Sequence, residues 1–206
     1  MTLPHAAASS IVWPAVAAGA VQLIGIVFLA VFFAIGEPFG TLNDICIALA
    51  AVLSALLAWR LLAAQAGPAP ALAWLALGSA VLGALIVVAG NSLVVFRITS
   101  FVLAGFWAQF GYAFIGLWLL AACVAAQNGG AWPRGLALLG IVAGALMLFG
   151  FLTLPALLRG LDTMTDSPWY VNAGYVSWIG AMFLLPAWCL WLARVLASAP
   201  AAIGAA

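Results

Sequence analysis

The chain has 206 residues, of which 69% are hydrophobic and 4% charged, and its formal net charge is +1. Ordinary soluble domains are charged at roughly a quarter of their positions, so this is the composition of a chain that lives in lipid. No polybasic run is present to hold nucleic acid or an anionic membrane surface, and the absence of lysine removes any retinal Schiff base.

A bilayer core needs about 20 apolar residues per helical crossing, and breakers divide the chain into six such runs. The opening MTLPHAAASSIVWPAVAAG has no basic n-region, and its apolar run is about twice a signal-peptide core, so it is read as a retained first helix. The first span, about 11–35, stops at GEPFG, where Pro38 pushes Glu37 out of helical geometry. The second, about 42–64, ends at the Gly/Pro turn AQAGPAP. The third, about 71–90, gives way to NSLVVFRITS, and the fourth, about 100–126, to QNGGAWPRG. LVVF in that link could also prolong the fourth span backwards. The fifth, about 136–158, precedes RGLDTMTDSP, and the sixth, about 169–196, precedes a short alanine-rich tail.

The expected fold is all-α and polytopic: a single domain over 1–206 made of six transmembrane helices. LALGSAVLGAL in the third span and LALLGIVAGAL in the fifth are similar, as are LAAQAG and VAAQNG, at an offset of about 61 residues. That offset raises three repeated helical hairpins as a further expectation.

Six crossings put both termini on one side, called side A, which holds Arg60, Arg134 and Arg194 and no acid. Side B holds Arg97 and Arg159 with all four acids, Glu37, Asp44, Asp162 and Asp166. The positive-inside rule counts Lys and Arg alone, so three arginines against two orient the termini toward the cytoplasm. All-arginine basic residues and heavy Ala, Gly and Pro usage suggest a GC-rich bacterial genome, hence an inner membrane. Trp13, Trp59, Trp74, Trp132, Trp188 and Trp191 all fall near side A, as an aromatic belt does.

Apolar burial does not drive helices together in lipid, so small residues and polar side chains must. The GxxxG of Gly140 and Gly144 and the stripe Ala48, Ala51, Ala55 and Ala58 are the expected packing surfaces. Gln22 and Gln109 lie near mid-span and are expected to bond neighbouring helices, since an unsatisfied amide is costly there. Pro186 is expected to kink the sixth span and free a carbonyl near Met182.

On side B, TLND reads as a cap, with Thr41 as N-cap and Asp44 reaching back from N3. The alternative rests on density. Glu37, Asn43, Asp44, Asn91, Arg97, Arg159, Asp162, Asp166, Tyr170 and Asn172 collect at one end as a ligand-binding or ion-pair cluster. In the ion-pair version, Arg97 and Arg159 partner Asp44 and Asp162. Asp166 or Ser167 reads as the cap of the sixth span, with Pro168 following.

HExxH, GxSxG and CxxC are absent, Cys46, Cys123 and Cys189 are widely spaced, and His5 is the one histidine. No catalytic residue, metal or cofactor is therefore assigned. The leading expectation is a non-catalytic membrane protein acting by helix packing and assembly, its partners membrane lipids and a homo-oligomer or larger complex. The alternative is a small solute, ion or lipid transporter or channel subunit with a polar site in the extracytoplasmic half. An intramembrane enzyme using Asp44 and Asp162 ranks third.

Overall fold

With no water at bilayer depth, a crossing has to satisfy its own backbone groups. The computed structural model describes residues 5–64, 70–163 and 168–198, and among them every regular element is helical. Among the described residues, six stretches are long and apolar enough to cross a membrane. The first four are single helices: α1 (His5–Ile35), α2 (Phe39–Ala63), α3 (Ala71–Val95) and α4 (Phe101–Asn128). The fifth crossing joins α5 (Arg134–Met147), a 3₁₀ segment (Leu148–Thr153) and α6 (Leu154–Leu158). The sixth joins α7 (Trp169–Gly174), a π segment (Ile179–Leu184) and α8 (Leu185–Ala197). The chain is a six-helix transmembrane bundle.

Neighbouring spans run antiparallel, and the first and last spans close the ring. Gly25 faces Cys46 and Gly40 faces Phe32 between α1 and α2. Gly19 of α1 lies against Leu190 and the Pro186 carbonyl. α3 runs on through Asn91 to Val95, so the LVV stretch closes the third span rather than opening the fourth.

Glycine sets the tightest crossings, and they converge on α4. A Cβ on Gly111 would stand 2.7 Å from the Gly83 carbonyl, and one on Gly83 would collide with the Gly111 carbonyl. On its other side, a Cβ on Gly116 would stand 2.9 Å from the Gly144 carbonyl, and one on Gly144 2.8 Å from that of Gly116. Gly140, the other half of the GxxxG, sits against Cys123 and Trp188. That face is thus covered inside the chain. α4 is accordingly the central helix: 56% of its most apolar stretch is buried within the bundle, against 22% for α1.

The polar side chains at depth work across helices. Tyr112 Oη lies 2.9 Å from Gln22 Oε1 and 3.1 Å from the Ile47 carbonyl, sharing its proton between α1 and α2. Gln22 Nε2 in turn donates to Met182 Sδ. Gln109 is satisfied in the amide orientation in which Nε2 donates to the Gly174 carbonyl (3.0 Å) and Oε1 accepts from Trp178 Nε1 (2.7 Å). In the stripe on α2, Ala51 and Ala58 are buried while Ala48 and Ala55 are half-buried.

Both interruptions have a local cause. Pro186 has no N–H for the Met182 carbonyl, and the turn before it widens into the π segment. Pro155 likewise opens α6 just after the 3₁₀ segment, where Gly150 lets the backbone approach the Gln109 carbonyl of α4. The tryptophan belt is smaller than expected. Trp13, Trp59, Trp74 and Trp191 face outward, but Trp188 is fully buried and packs edge-on against Trp118 and Trp132. Trp188 points inward, where Gly140 of α5 leaves room for its indole.

Gly83→Ala and Gly144→Ala should each destabilise the protein by about 1–3 kcal/mol, the usual cost of forcing atoms into a packed interior. Gly78→Ala, where an added Cβ meets nothing within 4 Å, should be neutral or mildly stabilising. Equilibrium unfolding in detergent checks all three.

Candidate functional site

The acidic end is organised by a three-residue connection between α1 and α2. Gly36 takes φ +96°, a value open to glycine, and its N–H bonds the Phe32 carbonyl at 2.8 Å. Glu37 and Pro38 follow, and α2 begins at Phe39, three residues before the expected start. The cap then comes from outside the helix. Glu37 Oε2 accepts from the Thr41 N–H (3.3 Å) and from Thr41 Oγ1 (3.1 Å).

This corrects the reading of TLND. Thr41 is already inside the helix, and Asp44 lies in its second turn with no free N-terminal amide to reach. Asp44 is instead 5% exposed, and its side chain lines a cavity of about 300 Å³.

That cavity sits among four helix ends. Phe32 of α1, Val94 of α3 and Phe101 of α4 supply its apolar wall, and Glu37, Thr41, Asp44, Arg97 and Thr99 its polar one. The Phe32 and Phe101 rings are 5.5 Å apart. Arg97 reaches it through an uncommon backbone. α3 ends at Val95, and Arg97 follows at φ 58°, in the left-handed position where helices usually place glycine. Its N–H bonds the Val94 carbonyl and that of Ile98 the Leu93 carbonyl, both at 2.8 Å, which locks the turn. A side chain in this conformation costs roughly 1–2 kcal/mol.

The neighbouring loops are tied to this end by polar contacts. Ser100 caps α4, its Oγ accepting from the Leu103 N–H at 3.4 Å, and donates to the Asp162 carboxylate. Arg159 Nη1 donates to Tyr170 Oη at 3.3 Å. Asn91 is buried and donates to the Val87 carbonyl at 2.8 Å. Asn43 is fully buried with both amide atoms unpartnered. Asn172 is exposed.

The structure therefore brings Glu37, Asp44 and Arg97 of the expected cluster around one cavity. It leaves Asn43 and Asn91 inside the bundle, and Asp162, Arg159 and Tyr170 in separate contacts. Asp166 lies outside the described residues. Neither expected ion pair forms among the described residues. The fifth span ends at Leu158, and Gly160 at φ +61° turns the chain, so Arg159 and Asp162 share no helical face. Thr99, Phe32 and Phe101 went unassigned as site residues. The one sequence signal nearby was Ser100 before an apolar run, an N-cap pattern.

Chemically, the cavity offers two carboxylates, one of them buried, a guanidinium, two hydroxyls and two aromatic rings. Among the described residues no three of His, Cys, Asp and Glu gather as metal ligands. Comparison with protein-family models, with curated proteins and with solved structures finds no significant match.

Arg97→Gly should leave the protein as stable or up to about 1 kcal/mol more stable, by releasing the left-handed strain. Thermal unfolding in detergent reads this directly. An arginine serving the fold would show a loss instead.

Proposed function

We propose that this chain is a non-catalytic, multi-pass protein of a bacterial inner membrane that binds a small charged solute in the side-B vestibule, as a transporter or channel subunit. Both termini are cytoplasmic and the vestibule opens to the other side. The supporting observation is Asp44: a carboxylate buried in a membrane span, lining a cavity, with no arginine in ion-pair contact. A charge within a span costs roughly 2.5–3.5 kcal/mol on insertion scales, and a structural role would pair it. Protonation, hydration or an occupant relieves the cost here. The orientation rests on Arg60, Arg134 and Arg194 against Arg97 and Arg159.

The assembly reading is less specific, because the GxxxG glycines are covered by the chain's own Gly116, Cys123 and Trp188. Lipids and a second copy remain natural partners for the outer faces. The enzyme reading needs Asp44 and Asp162 to share a site, and Asp162 is engaged by Ser100 outside the cavity lining.

Asp44→Asn should retain or raise thermal stability in detergent, since it removes a buried carboxylate that no arginine pairs. Any solute that stabilises the wild type should lose at least tenfold in apparent affinity against it. Loss of folding in Asp44→Asn, with no solute shifting the wild type, would return the carboxylate to a structural role.

A further inference from the structure

The vestibule's charges also restrict the class of its occupant, an inference that rests on the solute-binding reading above. Of the three charged groups that line it, Glu37 keeps its charge at the rim but has its Oε2 bonded by Thr41 at the start of α2. Asp44 and Arg97 remain for an occupant, a buried carboxylate and an exposed guanidinium with no ion pair between them. Asp44 is buried, whereas Arg97 and Glu37 are exposed, so the anion lies deeper than the cation.

We propose that the vestibule binds a zwitterion carrying a primary ammonium and an oxyanion joined by a short spacer, with the ammonium inward. A lone cation would leave the Arg97 guanidinium without a partner, and a lone anion would leave Asp44 without one. A molecule bearing both satisfies each. The ammonium bonds Asp44 and lies near the rings of Phe32 and Phe101, whose faces attract cations. The oxyanion takes the planar fork of Arg97, which fits carboxylate and phosphate alike. A volume of about 300 Å³ is at the small end for ligand sites and admits a compact molecule. The strained backbone of Arg97 fits this role, because strain at a ligand clamp is tolerated where the side chain is needed. The same chemistry occurs in free amino acids and phosphoethanolamine and in the headgroup of an ethanolamine lipid.

The test uses the full chain in maltoside detergent, with thermal stability read against glycine, O-phosphoethanolamine, ethanolamine and inorganic phosphate. A parallel arm compares nanodiscs of ethanolamine lipid with nanodiscs of choline lipid. A zwitterion probe should stabilise the protein at least tenfold more potently than ethanolamine or phosphate. Arg97→Gly and Asp44→Asn, both expected to fold, should each reduce that potency tenfold or more. Stabilisation by a soluble zwitterion identifies a free solute, and stabilisation confined to ethanolamine-lipid discs identifies a headgroup. Either supports the class. Ethanolamine or phosphate acting as well as the zwitterions would overturn it while leaving a solute site in place. No response to any probe in either arm would overturn the zwitterion and the vestibule together.

Discussion

Two pairs of facing glycines, Gly83 with Gly111 and Gly116 with Gly144, hold α4 between α3 and α5 at backbone contact. The bundle depends on them because lipid supplies no apolar driving force for helix association, leaving close packing and polar bonds to do it. With α4 seated, Tyr112 reaches across to α1 and α2, and Gln109 reaches the sixth span. Gly83 and Gly144 stand 61 residues apart at matching places in the two similar stretches of sequence. They press on opposite flanks of the same helix.

The vestibule follows from how these helices end. Tight turns at Gly36 and Arg97 bring the α1–α2 and α3–α4 links together over the start of α4. Each turn gives up something. Glu37 is spent on an α2 terminus that has no cap of its own, and Arg97 occupies a backbone conformation that glycine would hold more easily. A bundle selected for stability alone would carry glycine at the second position and no carboxylate at Asp44. Positions that break a local rule without a structural return are where function is expected to lie.

The six crossings were legible in the sequence because each needs a long apolar run, and hydropathy reports that requirement directly. The start of α2 was not. Thr41 and Asp44 matched a capping pattern, but the cap came from Glu37, on the far side of a proline, through a turn no linear pattern describes. The spacing of Arg159 and Asp162 suggested a shared face that Gly160 abolishes. Trp188 matched an interfacial belt by position along the chain and faces the core by rotation about the helix. Pro186 did announce an irregular sixth span, though the outcome is a π segment whose extra residue the sequence does not display. Composition marks depth in the membrane well. It marks the direction a side chain faces poorly, and the candidate site depends on direction.

The central claim is that Asp44 stands in a water-accessible vestibule at the end of the bundle opposite the termini. In a background with Cys46, Cys123 and Cys189 replaced by alanine, Asp44→Cys can be probed in spheroplasts with a membrane-impermeant, positively charged thiol reagent. The account predicts modification from the outside, at a rate within about an order of magnitude of that of Glu37→Cys on the rim. Labelling of Glu37→Cys with none at Asp44→Cys would mean a sealed interior at that position, and the vestibule would not exist.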